Sequence, residues 1–90
     1  MSHLVFGRRL GEGFKVAETH CFVDSIEDHQ ATIDVSGTKF TRQYLDSFEL
    51  NGLRIQPLPC SAAAIKISFT GPAEIPVIRT NARARTRKGK

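Results

Sequence analysis

The 90-residue chain has no tryptophan, one tyrosine, one methionine and two cysteines. Cys21 and Cys60 demand no disulfide framework, and with no Cys-x-x-C pair they give no zinc signature. No stretch approaches the ~20 consecutive apolar residues of a membrane-spanning helix. The N-terminus lacks the apolar segment of a secretory signal. A cytoplasmic protein with no membrane partner is expected. There is no glycine-rich phosphate loop, and Asp34 and Glu49 suggest no acid–base dyad. His3, His20 and His29 share no ligand spacing with the cysteines, and the adjacent His20 and Cys21 would face opposite ways on a strand. The expectation is therefore no enzyme, no cofactor and no metal.

Acids are missing from residues 79–90, which hold Arg79, Arg83, Arg85, Arg87, Lys88 and Lys90. Residues 18–52 are the reverse, with seven acids against Lys39 and Arg42. The net charge of +4 thus conceals a basic frame around an acidic middle. That asymmetry suits a polyanion approaching the frame and avoiding the middle. Ninety residues with 40% hydrophobic content allow one domain with a thin core, which favours completing the core by dimerisation.

Residues 65–79, IKISFTGPAEIPVIR, organise the remainder. Ile65, Ile67 and Phe69 alternate with Lys66 and Ser68, the period-2 pattern of a half-buried strand. Residues 70–73 supply turn chemistry, and Ile75, Val77 and Arg79 resume the alternation. Pro76 lacks an N–H, so this second strand either lies at an edge or starts a pairing there. Leu4, Phe6, Arg8 and Leu10 share one parity of a first strand, so Arg8 and Arg9 point to opposite faces. Residues 11–13 read as a hairpin turn, followed by a short strand over residues 14–17.

Both stretches resemble the CsrA/RsmA translational regulators, small bacterial RNA-binding proteins. The opening LVFGRRLGE matches that family's apolar strand, paired basic residues and Gly-Glu. Residues 65–79 match its apolar-basic-apolar strand, proline-ending turn and apolar strand closing on arginine. Together they cover roughly half the chain. The resemblance implies a mostly β, small antiparallel sheet or barrel, built as a strand-exchanged homodimer. It implies RNA-binding positions at Leu4, Phe6, Arg8, Arg9, Ile75, Val77 and Arg79, with an arginine fork reading guanine or phosphate. The implied activity is binding of GGA-type single-stranded or hairpin-loop RNA, which blocks ribosome access to messenger leaders. The implied partners are messenger or small regulatory RNA, a second copy of the chain, and a protein antagonist.

The middle departs from the family's short form. Residues 21–26 and 31–36 read as an extra hairpin around residues 27–30. Thr41 N-caps an expected short helix to about Leu50, with Tyr44, Leu45 and Phe48 on one face. The RsmN type carries a helical insertion at the corresponding place. The expected organisation is one domain over residues 1–80, with core segments 3–17 and 53–80, an insertion at 18–52 and a basic tail at 81–90. Residues 53–60, LRIQPLPC, form a poor strand, because Pro57 and Pro59 remove two donors. Residues 22–42 follow a similar strand pattern, so either segment can supply the core strands; the later one is preferred.

Each site residue also has a plainer reading. Arg79 is otherwise a solvated strand end, Arg8 and Arg9 an exposed charged pair, and Ile75 and Val77 ordinary core. Arg83, Arg85, Arg87 and Lys88 make nonspecific phosphate contacts or a solubilising tail. Two rival functions follow: a protein-interaction module on the same scaffold, and a basic nucleic-acid binder without sequence preference.

Overall fold

The computed structural model describes residues 2–80. Nine strands run in order: β1 (Ser2–Arg9), β2 (Gly13–Val16), β3 (Thr19–Ile26), β4 (Gln30–Val35), β5 (Thr38–Gln43), β6 (Phe48–Leu50), β7 (Leu53–Pro59), β8 (Ala64–Gly71) and β9 (Val77–Thr80). They form two antiparallel sheets, ordered β1-β8-β7-β6 and β5-β4-β3-β2-β9. Alternating apolar residues from both sheets meet in one core, including Phe14, Val16, Val23 and Ile33 from one and Ile55, Ile65, Ile67 and Phe69 from the other. The radius of gyration is 12.3 Å, close to the ~12 Å of a compact domain this size.

The expected short helix is replaced by strand and turn. Residues 38–43 continue the period-2 alternation, pairing Phe40 with Ile33 and Thr41 with Thr32. Leu45 then adopts φ 75°, which a right-handed helix cannot accommodate. The spacing of Tyr44, Leu45 and Phe48 mimicked one helical face, yet Phe48 is 6% exposed and Leu45 68%. Among the described residues no helix occurs.

Two expected hairpins are instead crossovers. β1 pairs with β8 rather than β2, and β9 pairs with β2 rather than β8. The turns around Gly11 and Pro72 therefore carry the chain from one sheet to the other. β3 and β4 form an antiparallel hairpin within the five-stranded sheet rather than an appendage to it.

β7 is central as well, despite its two prolines. It pairs with β8 from Arg54 to Pro59, while β6 covers only Leu53 to Ile55. Pro57 therefore lies beyond the end of β6. Its carbonyl still accepts from Leu45 N at 3.0 Å, so the ring omits one bond on a side where the ladder has already stopped.

The two sheets are copies. Displacing each residue by 34 positions, Phe6 to Phe40 and Ile33 to Ile67, carries β1–β4 onto β5–β8. The registers then coincide: Phe6–Ile67 becomes Phe40–Ile33, Phe14–Cys21 becomes Phe48–Ile55, and Val23–Ile33 becomes Pro57–Ile67. Two turn positions coincide too. Ala17 and Asn51 share φ near 54°, at 53° and 54°, and Gly11 at 84° matches Leu45 at 75°. Both candidate segments for the core strands are thus used, and each copy's first strand lies in the other copy's sheet.

One close approach depends on a missing side chain. A Cβ on Gly71 would stand 2.5 Å from Leu53 Cδ2 and 3.1 Å from the Gly52 carbonyl. Glycine there lets the end of β8 lie against the β6–β7 turn.

Candidate nucleic-acid interface

The strands that end the two sheets on one side are β1 and β9. Edge strands present unpaired backbone donors and acceptors. Between these two runs an open groove of about 560 Å³, lined by Leu4, Val5, Phe6, Val77, Ile78 and Arg79. Its floor is the Phe6 ring, tilted on Phe69 at 5.1 Å and edge-on to Phe14 at 6.3 Å. Those contacts fix the ring plane.

Arg79 reaches this ring because of pairing register. It stands opposite Phe14, so it shares the inward face of a strand that has no further neighbour in its sheet. Its Cζ lies 5.7 Å from the Phe6 centroid, within cation–π range. Among the described residues no carboxylate lies within 4 Å of it. The guanidinium is exposed and keeps its planar fork for a ligand.

Arg8 has a different position. Its Cζ is 5.8 Å from the same ring, but its donors are engaged. Nε donates to Gly7 O at 2.7 Å, and Nη1 donates to Gly13 O and Thr80 O, both at 3.2 Å. Glu12 Oε1 lies 3.8 Å from Nε. Arg8 therefore ties the end of β9 to the β1–β2 crossover and holds Arg79's strand against Phe6.

Of the residues named from sequence, Leu4, Phe6, Val77 and Arg79 come together around the groove, with Arg8 bracing it. Arg9 lies on the opposite parity of β1 and is exposed. Ile75 lines an adjoining recess that shares Leu4 and Val77 with the groove. Arg83, Arg85, Arg87 and Lys88 lie outside the described residues. Val5 and Ile78 were missed; 42% and 51% exposed, they form apolar walls. Only the knowledge that both strands are edges distinguishes them from ordinary surface residues.

A second recess, on the outer face of the five-stranded sheet, is lined by His20, Phe22, Asp34, Ser36 and Thr80. Its one carboxylate is occupied: Asp34 Oδ1 accepts from Gly37 N at 2.7 Å, and Oδ2 lies 3.7 Å from Lys39 Nζ. That satisfies the β4–β5 turn. Among the described residues no cluster of three metal-ligating side chains occurs, and no helix is long and apolar enough to cross a membrane.

The cysteines differ sharply in environment. Cys21 is buried and Cys60 exposed, both as free thiols. Burial, then the nearby Asp34 charge, pushes the Cys21 thiol up from an ordinary 9.0 to about 12. Iodoacetamide at neutral pH is expected to label Cys60 alone, with Cys21 reacting only in denaturant; mass spectrometry of the labelled chain checks this. The same shift sets an alkaline limit. Above pH 9 the unfolded thiol ionises while the folded one keeps its proton, so stability falls from pH 9 towards 12. Cys21→Ala should flatten that part of the stability–pH curve, and an unchanged curve would refute the assignment.

Comparison with protein-family models, with curated proteins and with solved structures returns no match for this chain.

Proposed function

We propose that the protein binds unpaired, guanine-containing RNA in the β1–β9 groove and acts post-transcriptionally, covering sites the ribosome would use. The observation that carries this reading is the Phe6 ring held in place beneath the uncommitted Arg79 guanidinium. A base can stack on an aromatic face, a contact worth about 1–3 kcal/mol. A guanidinium fork can meanwhile pair with guanine O6 and N7 or with a phosphate. Apolar walls from Leu4, Val5, Val77 and Ile78 exclude water from these polar contacts, and unpaired backbone groups on both edge strands add further readers. Double-stranded RNA does not fit this arrangement, because its base edges and faces are already stacked.

In this reading the activity is binding without chemistry on the substrate, in the cytoplasm, and without a cofactor. The resemblance to CsrA/RsmA proteins supports a GGA-type preference, since Leu4, Phe6, Val77 and Arg79 are matching positions and line one groove. A hairpin loop is the favoured presentation, because part of the ordering entropy is already spent.

The test is a titration of a GGA-loop hairpin against the same hairpin with a scrambled loop, repeated at two salt concentrations. Preference for the GGA loop by about tenfold or more, retained as salt rises, is the expected result. Equal affinity for both loops would favour the nonspecific basic binder. Absence of binding at low salt would favour the protein-interaction module.

A further inference from the structure

The 34-residue repeat assigns more than a fold. In this chain β1 belongs to the first copy but completes the sheet of β6, β7 and β8, while β5 belongs to the second copy and completes the sheet of β2, β3 and β4. The two copies have traded first strands across a pseudo-two-fold axis, and both are in one polypeptide. The exchange that would otherwise need two chains is closed covalently.

The copies differ in one element. After β8, residues 72–76 lead into β9, which returns to pair with β2. After β4, the two-residue turn of Ser36 and Gly37, with φ 50° and 95°, leads directly into β5. No residues remain there to build a counterpart of β9. β2 is consequently flanked by β3 and β9, whereas β6 pairs, among the described residues, with β7 alone.

This asymmetry decides the fate of the second groove. The pseudo-symmetric mates of Phe6 and Arg8 are Phe40 and Arg42, and Arg42 keeps the local pattern: it donates to Thr41 O at 2.9 Å and to Ser47 O at 3.3 Å, as Arg8 does to Gly7 and Gly13. Among the described residues no strand supplies the mate of Arg79. Instead Phe48 lies on Phe40 as a stacked pair, 4.7 Å apart and 16° from parallel. In the first copy Phe6 and Phe14 are 6.3 Å apart and 69° from parallel. Arg42 covers both stacked rings, at 5.7 and 5.6 Å. Phe6 thus has Phe14 and Phe69 as ring neighbours with Arg8 and Arg79 over it, whereas Phe40 is stacked on Phe48 with, among the described residues, Arg42 over the pair. Nearby charge changes as well, with Gln43 in place of Arg9 and Glu49 in place of Lys15.

We infer that this protein is a covalently closed pair with a single ligand groove, working as a monomer that engages one unpaired RNA segment per polypeptide. The core supports this independently of any ligand. Phe14, Val16, Val23, Ile33, Ile55, Ile65 and Ile67 are each at most 1% exposed within one chain, so no second chain is needed to bury them. The ligand class rests on the proposed function; the closure and the number of grooves do not.

The experiment uses the full chain and reads mass and stoichiometry separately. Sedimentation of the free protein at micromolar concentration should give the 10.0 kDa chain mass. A stable species of twice that mass would overturn the closed pair. Native mass spectrometry with a one-loop GGA hairpin should give one RNA per chain, and a two-loop RNA should take up two chains independently. Arg42→Ala should leave the dissociation constant within about twofold, whereas Arg79→Ala raises it about 5–150-fold. Two RNAs bound per chain, or equal losses for the two variants, would overturn the single groove. A monomeric chain that binds no RNA would overturn the proposed ligand and its one-to-one count, while its mass would still support the covalent closure.

Discussion

Replacing Phe14 by alanine is expected to lower the unfolding free energy by about 3–5 kcal/mol. The side chain is 0% exposed and packs edge-on against Phe69 at 5.3 Å. Phe14 belongs to β2 and Phe69 to β8, so this contact joins the two sheets. Its removal leaves a cavity that neither sheet can fill by moving alone, because β2 is bonded on both edges. A domain of this size has only about 5–15 kcal/mol in total, so the variant should lie near the limit of folding. Phe14→Leu keeps most of the volume and should cost less, about 1–1.5 kcal/mol. Urea unfolding should show the midpoint falling in that order with the slope preserved. A loss below about 1 kcal/mol for the alanine variant would mean that the ring does not bridge the sheets.

Arg79→Ala is expected to weaken binding of a GGA-loop hairpin by about 1–3 kcal/mol without a comparable loss of stability. The two effects separate because Arg79 is exposed and its neighbour in the described structure is a ring face rather than a buried acceptor. Arg79→Lys keeps the charge but loses the planar fork, so it should recover affinity for phosphate and little discrimination between loops. Arg8→Ala should behave differently. It deletes the bonds to Gly13 O and Thr80 O, so it should lower stability and affinity together. Titration and thermal unfolding of all three variants distinguish reading the ligand from bracing the strand. Equal affinity of Arg79→Ala and the parent chain would remove Arg79 from the interface.

The strand content was legible wherever alternation was clean, as in Ile65-Lys66-Ile67 and Leu4 to Arg8. Pro76 allowed either an edge strand or the start of a pairing, and β9 is both, beginning at Val77 on the edge of its sheet. What was not legible was pairing. A glycine turn between two strands looks the same whether it closes a hairpin or crosses between sheets, and both outer turns here cross. Tyr44 and Phe48 misled because a spacing of four fits a helix turn as well as a strand, a bend and another strand. The repeat was partly visible as the likeness of residues 22–42 to the later segment. Its markers, Phe6 and Arg8 against Phe40 and Arg42, Phe14 against Phe48 and Gly37 against Gly71, are few, since most matched positions share only burial. The groove could be assigned to Phe6 and Arg79 from the resemblance, but Arg8 as a brace follows only from its hydrogen bonds.

The crossing of strands between copies also governs how the chain can assemble itself. β1 finds its partner in β8, and β2 gains its outer neighbour from β9, so both sheets remain unfinished until nearly the whole sequence is available. Contacts so distant along the chain demand large loops to close early, which slows the search for the native state. A fragment ending at Gly37 would contain every residue of the first copy and still lack β8, the partner of β1, and β9, the outer neighbour of β2. Order should therefore arrive in a single concerted event, late during synthesis, rather than one half after the other.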